Sequence, residues 1–146
     1  MMRFFFMMAG LLAVSAGAAE ARDLRLDCVA RQVCVSNIEP GRASCQQTEL
    51  RYRLEVGRKT GSKVVMTPEG DDAGMFYEFR RLPGRAGIRL QASGGALEAG
   101  QGAGALTVFE TLDFVLTRHN ALQLDPEDGA LQAIAVNVHG SCAESE

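Results

Sequence analysis

The chain has 146 residues, 47% of them hydrophobic, with no Trp and a formal net charge of −3 from 15 basic and 18 acidic residues. That length suits one domain with a core of moderate size. An acidic balance leaves no basic excess to neutralise phosphates, so nucleic acid is excluded as a partner class.

Met1 to Ala21 reads as a secretory signal peptide. Arg3 supplies the positive start, and Phe4 to Val14 is an apolar run too short to span a bilayer comfortably. Small residues follow, with cleavage sites expected after Ala18, Ala19 or Ala21. The predicted organisation is a signal over 1–21 and a single exported domain over 22–146. No later apolar stretch reaches transmembrane length, so no membrane insertion is expected after cleavage. The alanine- and arginine-rich composition looks bacterial, which makes the compartment the periplasm or the outside.

Export places Cys28, Cys34, Cys45 and Cys142 in an oxidising compartment. Four cysteines allow three pairings. Cys34 and Cys45 flank Asn37-Ile38-Glu39-Pro40-Gly41-Arg42, a strong turn signal that folds the chain back and brings them together. We therefore favour Cys34–Cys45 with Cys28–Cys142. The second pair ties the first strand to the last and closes a long loop, worth about 4 to 5 kcal/mol in the chain-entropy model. Redox or zinc chemistry would need Cys-x-x-Cys or ligand spacings that are absent.

Leu24 to Val35 is predicted as a first strand, with Cys28 and Cys34 on one side of it because they are an even number of residues apart. Thr48 to Val56 alternates strictly: Leu50, Tyr52, Leu54 and Val56 are expected inside, Glu49, Arg51, Arg53 and Glu55 outside. Gly57 to Gly61 is a turn, Lys63 to Thr67 a short strand, Pro68 to Gly74 a loop. Met75 to Leu82 is a strand, Pro83-Gly84 a turn, and Ile88 to Ala92 a short strand. Ser93 to Gly104 is rich in glycine and expected as a loop or a poorly ordered segment.

Leu106 to Arg118 carries two patterns. Thr107-x-x-Glu110 would make a helix capping box, with Val108, Leu112 and Val115 on one face. Val, Phe and Thr dominate, however, so strands are favoured, with His119-Asn120 as a turn after them. Ala121 to Leu124 and Leu131 to Val138 then pair across Asp125-Pro126-Glu127-Asp128-Gly129. The predicted fold class is all-β: an antiparallel meander closed as a small barrel or sandwich and stapled by disulfides.

No catalytic constellation is apparent. His119 and His139 are the only histidines, twenty residues apart with no ligand motif, and are expected to be solvated. No serine lies in a nucleophile motif, and the acidic pairs lie in turn sequences, where acidic residues are common. Gly100-x-Gly102-x-Gly104 lacks the dinucleotide-binding spacing. Arg80 and Arg81 should point to opposite faces of a strand, so with Arg85 and Arg89 they make no single basic patch. No cofactor or metal is expected.

Two resemblances attach to these residues. Cys28-x5-Cys34 and the closing Gly140-Ser141-Cys142 resemble small uncharacterised periplasmic β-proteins of alphaproteobacteria, which implies location but no activity. Ala92-Ser93-Gly94-Gly95 is similar to the Ser-Gly loop of the periplasmic inhibitors of c-type lysozyme, small β-barrels tied by a disulfide near their ends. In that family the loop enters the lysozyme cleft. The resemblance makes Ser93, Gly94 and Gly95 a candidate partner loop, although Ala96 and Leu97 stand where those proteins carry a tyrosine.

The expected function is that of a non-catalytic exported binding or envelope-associated domain, its partner a protein or a small apolar ligand. Inhibition of a basic envelope hydrolase such as c-type lysozyme is one alternative. A lipocalin-like carrier of a small apolar ligand is the other, since a meander barrel can enclose a cavity.

Overall fold

The computed structural model describes residues 24–39, 41–70, 76–96, 104–123, 127 and 129–145. The expected signal peptide, Pro40 of the expected first turn, the expected loop residues 71–74 and 97–103, Met75 and Leu124 at the ends of expected strands, and Asp125, Pro126 and Asp128 of the expected last hairpin lie outside these residues. Eight strands follow one another in order: β1 (Leu24–Asn37), β2 (Arg42–Val56), β3 (Lys63–Pro68), β4 (Tyr77–Arg81), β5 (Ile88–Ala96), β6 (Gly104–Phe109), β7 (Asp113–Gln123) and β8 (Leu131–Glu144). Each pairs antiparallel with the next, and β1 pairs with β8, so the meander closes as a barrel and not as a sandwich.

Alternation builds the interior. Tyr52, Leu54 and Val56 of β2 are buried between exposed Arg51, Arg53 and Glu55. Leu26, Leu54 and Met66 lie level across β1, β2 and β3, and all three are fully buried. On the far wall Leu90, Val108 and Phe114 do the same across β5, β6 and β7. Phe79, Leu106, Leu116 and Val138 complete a core that fills the lumen with side chains, as expected of a barrel with eight strands. Gly140 of β8 lets Phe114 fit: a Cβ there would lie 2.7 Å from the ring and 2.1 Å from the Val29 carbonyl oxygen.

Outside, charges pair across strands: Arg53 with Asp27 at 3.7 Å and with Glu69 at 3.5 Å, and Lys63 with Glu78 at 2.9 Å. Such exposed pairs contribute little each. They mark the wet face and so help hold the register.

The strands are unequal in length, and this shapes the molecule. The β2–β3 ladder starts at Tyr52↔Pro68, and the β6–β7 ladder ends at Gly104↔Arg118. Yet β1 and β2 stay paired to Asn37↔Arg42, β1 and β8 to Asn37↔Ile134, and β7 and β8 to Gln123↔Leu131. The order β2–β1–β8–β7 therefore runs on past the barrel as an arm of four strands.

Several sequence expectations are corrected. Both ladders of β1 shift register between Ala30 and Gln32. The bulge reverses the parity of β1: Cys28 is buried before it, and Val33 packs on the core after it. Cys28 and Cys34 thus face opposite sides, because a bulge adds one residue to the count of two. Leu50 keeps its inward parity but is 48% exposed, since β3 ends opposite Tyr52 and no described residue pairs beside Leu50 there. Ser93 to Ala96 is strand, not loop. Leu106–Arg118 is two strands joined by a tight turn, in which the Leu112 amide donates to the Phe109 carbonyl at 2.9 Å and Leu112 takes φ 67°. His119 and Asn120 continue β7 and are not a turn.

Candidate functional site

The two disulfides are Cys28–Cys142 and Cys34–Cys45, the pairing favoured from the turn signal. Each joins residues directly opposite in a ladder. Cys28–Cys142 clamps the β1–β8 seam where the barrel closes, with Cα atoms 3.9 Å apart. Cys34–Cys45 lies in the arm, between β1 and β2, with Cα atoms 4.0 Å apart.

The other candidates are not brought together. Ser93 pairs with Arg80 on one side and Ala105 on the other, and Gly94 with Phe79 and Gly104. This segment is held in β5 and does not protrude. The reason is steric: Gly94 lies against β4, where a Cβ would come 3.2 Å from the Glu78 carbonyl oxygen. His119 lies opposite Ala135 and His139 opposite Val115, both exposed and four ladder positions apart. Among the described residues no group of three His, Cys, Asp or Glu could hold a metal ion.

The arginines are also dispersed. Arg80 pairs with Glu78 at 3.4 Å, and Arg89 pairs with Glu144. Arg81 points the other way and donates to the Gly57 and Arg58 carbonyls at 2.9 and 3.0 Å.

Sequence reasoning missed the arm. Its inner face continues the barrel lining: Val33, Val35 and Asn37 on β1 lie level with Val138, Val136 and Ile134 on β8. Gln46, Ser44 and Arg42 flank them on β2, and Leu116, Arg118 and Asn120 on β7. A groove of about 450 Å³ runs along this face, lined by Val35, Asn37, Arg42, Ala43, Ser44 and Ile134. The Asn37 amide donates to the Gln132 side chain, while its buried oxygen has no hydrogen-bond partner.

Where the arm meets the barrel, Arg118 lies over the Tyr77 ring at 4.5 Å and donates to its hydroxyl at 3.0 Å. Of the large apolar residues left exposed among the described residues, Val35, Ile38, Leu50, Phe76 and Leu131 sit at the arm end and Phe109 at the other. The signal was in the sequence: Ile38 stands inside a turn, and Leu131 directly after one.

No protein-family model, no curated protein and no solved structure matches the chain.

Proposed function

We propose that the protein is an exported, non-catalytic binding domain whose working surface is the inner face of the arm. The observation that carries this is the segregation of exposed apolar side chains to one end of the barrel. Scattered surface apolar residues are ordinary, whereas a concentration beside a groove is characteristic of interaction sites. The rest of the barrel supports the arm: its core is filled and its seam is clamped by Cys28–Cys142.

The ligand chemistry follows from the groove. Val35 and Ile134 offer apolar contact, Arg42 a cation, and the unpartnered Asn37 oxygen an acceptor. A neutral or acidic peptide segment with apolar side chains fits that set. Two disulfides are compatible with an oxidising compartment, and with the signal-like N-terminus they support a periplasmic or extracellular setting. The carrier reading has less support, because the lumen is occupied by the core. The inhibitor reading keeps the acidic charge but loses a projecting Ser93 loop.

The test is photo-crosslinking in the producing cell, with a benzophenone amino acid at Val35 and, as control, at Phe109. An adduct with another protein at Val35 and none at Phe109 supports the reading. Equal labelling at both, or none at either, overturns it.

A further inference from the structure

We infer that the free edge of β2, Arg42–Gln47, is a docking edge for the same edge of a second copy of this chain. The argument starts from the ladder. Cys34 and Cys45 are directly opposite with Cα atoms 4.0 Å apart, the close spacing of a pair that exchanges no backbone hydrogen bonds. The N–H and C=O of Cys45, and of Ala43 and Gln47 two residues either side, therefore point away from β1. No described strand lies there to receive them, because β3 meets β2 only from Tyr52 onward.

From Ala43 to Thr48 the edge lacks the usual guards, and Arg42 at its end is its one charged residue. Arg42 to Gln47 are all exposed, and Ala43-Ser44-Cys45-Gln46-Gln47-Thr48 contains no charge and no proline. Free edges are ordinarily protected by Lys, Pro or inward charges. The Cys34–Cys45 bond also holds the strand in place before any partner arrives, which lowers the ordering cost of association.

An antiparallel edge is self-complementary about a twofold axis. With Cys45 opposite Cys45 of the second copy, Ala43 faces its Gln47 and Ser44 faces its Gln46. The residues flanking the edge then match in kind. Leu50, 48% exposed, comes level with the β1–β2 turn of the second copy, which carries Ile38, 60% exposed. Arg51 comes level with Glu39 of that turn, a basic residue beside an acidic one. Pairing covers apolar side chains at both ends and opposes no like charges. It does not rest on the binding function proposed above: that reading uses side chains of the inner face, Arg42 and Ser44 of this strand among them, whereas this one uses the edge-facing backbone groups of Ala43, Cys45 and Gln47.

Sedimentation velocity on the exported protein, over a wide concentration range, provides the test. We expect a concentration-dependent dimer. Ala43→Pro and Gln47→Pro each delete an N–H that faces the free edge and leave the β1 ladder intact. Each should raise the dimer dissociation constant at least about tenfold while keeping a native circular dichroism spectrum.

Side-chain variants test the register without risk to the fold. Ser44→Glu with Gln46→Glu sets carboxylates against each other and should dissociate the dimer. Ser44→Glu with Gln46→Arg sets opposite charges together and should retain it. A wild-type monomer at every concentration overturns the inference. So does a dimer that Ala43→Pro, Gln47→Pro and the Glu/Glu variant all leave intact, or one that the Glu/Arg variant dissociates as fully as the Glu/Glu variant.

Discussion

Arg118 of β7 reaches across the mouth of the barrel to Tyr77 of β4, its guanidinium carbon 4.5 Å from the ring centroid and its Nη1 3.0 Å from the phenolic oxygen. The two strands are separated by β5 and β6 in the ring, so the contact braces the open end, where ladder hydrogen bonds are running out. Cation–π contacts are worth about 0.5–2 kcal/mol depending on solvation. Arg118→Ala is expected to cost about 1–2 kcal/mol, and Tyr77→Phe, which keeps the ring, about 0.5–1.5. A double-mutant cycle on Arg118→Ala and Tyr77→Ala in urea checks this: coupling below about 0.5 kcal/mol would mean that the pair braces nothing.

Gly140 and Gly41 separate two reasons for glycine. Gly41 takes φ 63° in open space, whereas a Cβ on Gly140 would lie 2.1 Å from the Val29 carbonyl oxygen. Gly41→Ala should cost about 1 kcal/mol, the left-handed backbone penalty alone. Gly140→Ala must push β1 from β8 or displace Phe114, so about 3 kcal/mol is expected, the upper end for overpacking. Denaturant midpoints that rank the two the other way would contradict the close packing at the seam.

Leu54 and Leu50 share a strand and a parity but not an environment, being 0% and 48% exposed. Leu54→Ala is expected to cost about 2–5 kcal/mol. Leu50→Ala should cost under about 1 kcal/mol, as a half-exposed site leaves no cavity. Thermal or urea unfolding of the two variants checks this, and equal losses would mean that Leu50 is covered.

The disulfides span sequence separations of 114 and 11 residues. In the chain-entropy model these contribute about 5 and about 3 kcal/mol. Replacing Cys28 and Cys142 together by Ala should therefore destabilise more than replacing Cys34 and Cys45, with a further loss because Cys28 is a core residue. The Cys34/Cys45 double variant should keep the barrel and loosen the arm, seen as faster amide exchange in Asn37 and Arg42 than in Leu54. Uniform acceleration across both regions would show that arm and barrel unfold as one unit.

His119 and His139 stand exposed on separate strands. His119→Gln with His139→Gln should fold normally, and protein produced with zinc present should carry none after dialysis. Stoichiometric zinc lost in the double variant would reopen a metal role.

The all-β class, the meander and the disulfide partners were legible in the sequence because they rest on local signals. Tyr52, Leu54 and Val56 alternate with charges, and Asn37–Arg42 turns the chain so that Cys34 meets Cys45. A period of two carries no record of where a neighbouring strand stops, nor of a single added residue. Closure into a barrel, the reversal of parity at Arg31 and the exposure of Leu50 were therefore decided by the tertiary structure. The same reason explains Ser93-Gly94-Gly95, whose composition reads as loop: glycine is needed at 94 because β4 approaches closely, a contact made only once β5 is laid against its neighbour. The arm exists because β1, β2, β7 and β8 outlast their neighbours. That difference in length becomes a surface only once the eight strands are laid side by side.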